Sequence, residues 1–154
     1  MVLHIVAFDI PYQPTYGGVI DVFFKIKALR DAGVEIILHA FEYHRSPSKE
    51  LEELCMEVHY YRRKPILKSL PVRYPHIVKS RASQALLKRL LEDNFPILFE
   101  GLHTTYFLSH ESLADRIKLV RMHNIEWEYY FQLSQRESRY WNKQYYQAES
   151  RQLQ

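Results

Sequence analysis

Apolar residues along this chain fall in short, separated clusters, and the spacing inside the clusters alternates between the period of a strand and that of a helix. Val2 to Phe8 is an apolar run stopped by Asp9, and Pro11, Pro14, Gly17 and Gly18 then bar regular structure, so a buried strand and a loop are expected. From there Val19, Val22, Phe23, Ile26 and Leu29 follow helical spacing. Asp21 falls in the turn where the helix dipole favours an acid, and Gly33 supplies the stop. Val34 to Phe41, rich in Val, Ile and Leu, completes a strand–helix–strand crossover of right-handed parallel type.

The alternation continues. Ser48 ahead of Glu50 to Leu54 reads as a capped short helix, and Met56 to Tyr61 as a more polar strand whose basic, Tyr-rich end suits a sheet edge. Ile77 to Leu91 is again amphipathic, with Leu86, Leu87, Leu90 and Leu91 on one stripe. Pro96 to Phe99, closed by Glu100-Gly101, is a fourth strand. A broken helical stretch from Thr104 to Ala114 leads to a fifth, Ile117 to Met122, which ends at His123-Asn124. Ile125 to Gln154 holds no Gly or Pro and is expected to form one long helix, with Trp127, Phe131, Trp141 and Tyr145 sharing a packing face. The predicted class is α/β: a Rossmann-like, doubly wound, mostly parallel sheet with helices on both faces.

Composition changes this picture little. A chain of 154 residues, 47% hydrophobic and 25% charged, fits one ordinary globular domain. The lone cysteine, Cys55, allows no internal disulfide and reads as a small buried apolar group. The first residues have neither the cationic lead nor the cleavage site of a secretion signal, and no apolar run is long enough to span a bilayer, so a cytoplasmic location is expected.

Charge changes it more. The net charge of +3 is too small to indicate a nucleic-acid partner, yet Val58 to Leu91 contains no acidic residue and carries Arg62, Arg63, Lys64, Lys68, Arg73, Lys79, Arg81, Lys88 and Arg89. This stretch is either a solvated face with its loop or a surface for peripheral contact with anionic membrane or a phosphorylated acceptor.

In an open parallel sheet, ligands bind at the carboxyl ends of the strands near the switch in strand order. Those ends are Asp9 to Gly18, Glu42, Glu100 to Thr105, and His123 to Glu128. Gly17-Gly18 precedes a helix start, where free N–H groups favour an oxygen-rich ligand and missing Cβ atoms permit close approach. The glycines are also a convenient turn. Neither GxGxxG nor GxxxxGK occurs, which disfavours dinucleotide binding and P-loop chemistry, including use of Glu42 on a ribose. His123 can donate to a sugar or phosphate oxygen, or can cap its own strand. His103, Glu100 and Glu126 can converge with it, but no metal-ligand spacing such as HExxH is present and no metal is expected.

The run FDIPYQPTYGGVIDVFFKIKALRDAGVEIILHAF and the later VRMHNIEWEYY resemble family-4-type GT-B glycosyltransferases. The similarity covers essentially the whole chain. Its most specific pieces are the P-x-x-G-G turn, Pro14 to Gly18, and the His123-Asn124-x-Glu126 segment. The resemblance implies the N-terminal, acceptor-side half of a two-domain enzyme that transfers a sugar from a nucleotide-sugar to a glycan or lipid-linked acceptor. Retention of configuration is implied, with no metal and no cofactor. It also implies roles for residues: Gly17 and Gly18 beside the donor diphosphate or its sugar, His123 at the transferred sugar or reacting centre, and Tyr16, Glu100, His103, Asn124 and Glu126 among the substrate-binding groups.

The paired glutamates and basic residues expected of the nucleotide-binding half have no counterpart here, so the chain is expected to be a domain of a longer protein, inactive alone. A stand-alone module docking anionic membrane or polymer through the basic stretch is the alternative.

Overall fold

A computed structural model describes residues 1–65 and 74–154. Five strands form one sheet: β1 (Val2–Ala7), β2 (Glu35–Glu42), β3 (Glu57–Arg62), β4 (Ile97–Glu100) and β5 (Lys118–Arg121), in the order β3-β2-β1-β4-β5 with every neighbouring pair parallel. The predicted α/β class is therefore the observed one, and the polar third strand does lie at an edge. Parallel strands covered on both faces read as near-continuous apolar runs, which is why β1 and β2 were legible.

Alternate strand residues feed two cores. On one face Leu3, Ile5 and Ala7 pack with Val22 and Ile26 of helix α1 (Gly17–Asp31) and Leu51 of α2 (Lys49–Leu54), and Cys55 joins them. Burial pushes the Cys55 thiol up to about 12, as expected of an inert apolar filler. On the other face Val6, Phe41 and Phe99 meet Leu86, Leu87 and Leu90 of α4 (Gln84–Leu90), with Phe107 and Leu113 from two 3₁₀ turns. The Ile77–Leu91 stretch is not one helix: α3 (His76–Lys79) and α4 are separated by Ser80 to Ser83, where the Ser83 hydroxyl accepts from the Leu86 N–H and restarts the helix.

Several expectations about caps and helix lengths fail. Helix α1 begins at Gly17, so Asp21 lies beyond its first turn. Ser48 makes no side-chain cap to α2; its hydroxyl goes to Glu50 instead. The single C-terminal helix is two, α5 (Glu126–Arg136) and α6 (Tyr140–Leu153), folded against each other, because Glu137 leaves helical geometry and its carboxylate accepts from the Arg139 N–H and from Asn142 to start the next helix. The proposed aromatic face is absent: Trp127, Phe131 and Trp141 are exposed, and Tyr130, Tyr145 and Tyr146 make the ring contacts between the helices. Glu149 ties α6 to the body by accepting the backbone N–H groups of His76 at 2.6 Å and Ile77 at 3.2 Å, the open donors at the start of α3.

A polar row crosses the sheet interior. His4 and His39, both fully buried, stack with ring centres 5.1 Å apart and share a hydrogen bond of 2.8 Å. Asp93 binds the far side of His4 at 2.9 Å, and the Tyr61 hydroxyl meets His39 at 2.9 Å, so each nitrogen has a partner.

The basic stretch is not one surface. Arg81 is buried, donating to the carbonyls of Phe8 and Ile77, and Arg89 is tied to Glu57 and Glu92. Lys68 and Arg73 lie outside the described residues. Among the described residues no helix is long and apolar enough to cross a membrane.

Candidate functional site

Strand order reverses between β1 and β4, since β2 and β3 extend one way and β5 the other. At the carboxyl ends of β1, β4 and β5 a cavity of about 480 Å³ opens, walled by Phe8, Gly17, Gly18, His103, Arg121 and His123, with Tyr16, Asp21, Asn124, Glu126 and Tyr129 around them. The segments that the sequence singled out from opposite ends of the chain share this one cleft. Of the residues named for the donor and substrate, Gly17, Gly18, Tyr16, His103, His123, Asn124 and Glu126 line it, and Glu100 does not reach the wall. It is fully buried beneath it.

Glu100 ends β4 and holds the floor together. One of its oxygens takes the ammonium of Lys25, and the other accepts from His123 Nε2 at 3.1 Å. Burial pushes the Glu100 carboxyl up, but His123 and Lys25 outweigh it and leave the group below the ordinary carboxylate range. An ionised carboxylate only accepts, so His123 carries its proton on Nε2. Its Nδ1, 3.3 Å from the Arg121 guanidinium, is then an acceptor. Arg121 also grips Asp21 with both nitrogens, the second contact at 3.0 Å, and Lys25 lies 3.3 Å from the same carboxylate.

Asp21, Glu100 and His123 bring ligand atoms within 4.8 Å of one another, close enough for a cation. Lys25 and Arg121 already neutralise these carboxylates, so a metal would compete with two protein charges. The site therefore reads as a preformed hydrogen-bonding floor. Glu100, named for substrate contact, is fully buried and hydrogen-bonded to His123.

The glycines differ in kind. A Cβ at Gly17 meets nothing within 4 Å, whereas one at Gly18 would sit 2.7 Å from Phe8 Cζ. Gly17 leaves room for a ligand; Gly18 leaves room for Phe8, whose ring packs 5.4 Å from those of His103 and His123. Gly101, unassigned from sequence, turns the chain at φ +73°, and a Cβ there would crowd His103 and His123 at 3.2 and 3.3 Å.

The second pair is less satisfied. His103 Nε2 lies 3.9 Å from Glu126 Oε2, and among the described residues His103 Nδ1 and Glu126 Oε1 are buried without hydrogen-bond partners. Burial, reinforced by Arg81 and Arg63, lowers His103 to about 3, so it is neutral; burial raises Glu126 against the pull of His123 and Arg81.

Sequence reasoning missed Arg121, Asp21, Lys25 and Phe8. Two signals were available: Arg121 and His123 are two apart at a strand end, hence on one side, and Asp21 and Lys25 are four apart on α1. Glu42 does not join this cleft. It pairs at 3.8 Å with exposed Arg62 and lines a separate cavity with Tyr43, Arg63 and His76.

The chain is similar to a protein of Klebsiella pneumoniae described as an uncharacterized 44.6 kDa protein in the cps region, with 28% identity over 153 residues and 92% of this chain covered. The match spans 38% of that protein's length. No protein-family model matches the chain, and no solved structure matches it.

Proposed function

We propose that this chain is the acceptor-side domain of a glycosyltransferase that builds surface polysaccharide from nucleotide-sugars. The observation that carries the reading is the convergence of the open Gly17 backbone, Arg121 and His123 in one cleft at the switch point of the sheet. A relative in a cps, or capsular polysaccharide, region supports the same setting.

In this reading the unobstructed Gly17 N–H and the start of α1 face the donor's oxygens. Arg121, which is partly exposed, turns from Asp21 to an anionic group of the donor. That movement frees His123 Nδ1, while Glu100 keeps the proton on Nε2; the neutral imidazole then accepts a hydrogen bond from a hydroxyl of the transferred sugar. Asn124, Glu126, His103 and Tyr16 complete the wall. The groups that stabilise the leaving diphosphate belong to a second domain, so the 154-residue chain alone is expected to be inactive.

A panel of nucleotide-sugars with the full-length gene product tests this. Transfer with retained configuration is expected, with His123→Ala lowering kcat/KM about 100-fold or more. Unchanged turnover in His123→Ala, or robust transfer by the 154-residue chain alone, would sink the reading.

A further inference from the structure

A larger cavity lies next to the cleft. It encloses about 840 Å³ between the loop after β1 and the loop joining β2 to α2. Tyr16 lines both spaces, so a ligand filling the larger one reaches the Gly17–His123 cleft across that ring.

Charge in its walls cancels. Asp9 and Glu50 stand against Arg45 and Lys49. Arg45 is committed to the protein: it donates to the Gln13 carbonyl and the Thr15 hydroxyl, lies 3.6 Å from Asp9, and covers the Tyr16 ring at 5.3 Å. A phosphate entering here would meet two carboxylates, with Lys49, among the described residues of the wall, as the cation left to receive it.

The tyrosines are held in place. The Tyr16 hydroxyl donates to Asp9 and that of Tyr12 to Glu50, each at 2.9 Å, and Ser48 binds the other Glu50 oxygen at 2.7 Å. With their hydroxyls tied to carboxylates, the Tyr12 and Tyr16 rings are fixed in the wall, and Tyr43, 56% exposed, is braced by the Arg63 guanidinium 4.5 Å from its ring centre. Fixed aromatic surface bordered by balanced polar groups suits a ligand with apolar C–H faces and many hydroxyls but no net charge.

We propose that this cavity takes an uncharged saccharide chain and leads it past Tyr16, which lines both spaces, toward the Gly17–His123 cleft. Its role as acceptor rests on the transferase reading; its ligand class rests on the cavity alone.

The 154-residue chain is tested against neutral oligosaccharides, against the same sugars carrying phosphate or uronic acid groups, and against vesicles of phosphatidylcholine and phosphatidylglycerol. Binding of neutral oligosaccharides is expected, with an affinity insensitive to added salt, because screening acts on charges. Tyr43→Ala should weaken it about tenfold, or about 1.4 kcal/mol. Tyr140→Ala, an exposed change that lines neither cavity, should leave it unaltered.

Failure of every neutral sugar to bind, binding of charged sugars or vesicles only, or indifference to Tyr43→Ala would overturn the proposal. Neutral binding by the chain, coupled with a full-length protein that turns over no nucleotide-sugar, would sink the transferase reading and support the cavity assignment. Turnover without neutral binding would sink the cavity assignment alone.

Discussion

Glu100 accepts a hydrogen bond from His123 Nε2 at 3.1 Å, across the ends of two neighbouring strands, with Lys25 closing its other oxygen. This contact fixes the histidine tautomer from a fully buried carboxylate. Glu100→Gln keeps the shape but removes the charge that Lys25 and His123 share. A loss of about 1–3 kcal/mol in urea unfolding is expected, and Lys25→Met in the same background should recover part of it, since contacting groups are not additive. Equal stability of parent and Glu100→Gln would refute the coupling.

The two glycines of the turn should separate in experiment. Gly18→Ala drives a methyl into Phe8 and is expected to cost about 1–3 kcal/mol through overpacking. Gly17→Ala meets open space and should leave the melting temperature unchanged or slightly raised. Thermal denaturation of both variants decides it, and similar losses at both positions would contradict the geometry.

Acid should weaken the fold through its histidines. Burial lowers His103 to about 3 and His76 to about 4 from an ordinary value of 6.5, and His4 and His39 are lowered as well. The unfolded chain therefore takes up protons first. The stability from these neutral rings is whole above about pH 6.5 and declines as the pH falls toward 4. Melting temperatures across that window should drop, and more steeply in the parent than in His103→Gln; parallel curves would rule out His103 as a contributor.

Glu126 should show the opposite sign. Burial raises its carboxyl, so ionisation at neutral pH works against the fold, and one oxygen has no hydrogen-bond partner among the described residues. Glu126→Gln is expected to raise the melting temperature more at pH 8 than at pH 4, where the parent carboxyl is already protonated. A variant less stable than the parent at pH 8 would show that the charge has a partner in solution.

The strand–helix alternation was legible because hydrophobic period is a local property: β1, α1 and β2 each carry their own pattern of buried positions. The cleft was half legible. Gly17, His103 and His123 stand at element ends, where a parallel sheet gathers ligands, and the sequence shows those ends directly. Arg121, Asp21 and Lys25 were missed because what unites them is a charge network spanning α1, β4 and β5. The long final helix failed for a similar reason. No Gly or Pro marks the break, which rests on the Glu137 carboxylate and on Tyr130, Tyr145 and Tyr146 meeting across the turn.

By itself, then, the sequence determined the class of fold and the turns that close its strands, since period, turn residues and charge sign are read from neighbours in the chain. Only the tertiary structure decided what each group does there. The strand order set β4 beside β1 and β5 and brought the buried Glu100 carboxylate against His123. Packing gave Gly18 to Phe8 and left Gly17 open. It also drew Arg81 out of an apparent basic surface into the interior, where burial lowers its pKa to about 9 and two backbone carbonyls hold it. Burial, register and partner distance arise from residues far apart in the chain, and no local pattern encodes them.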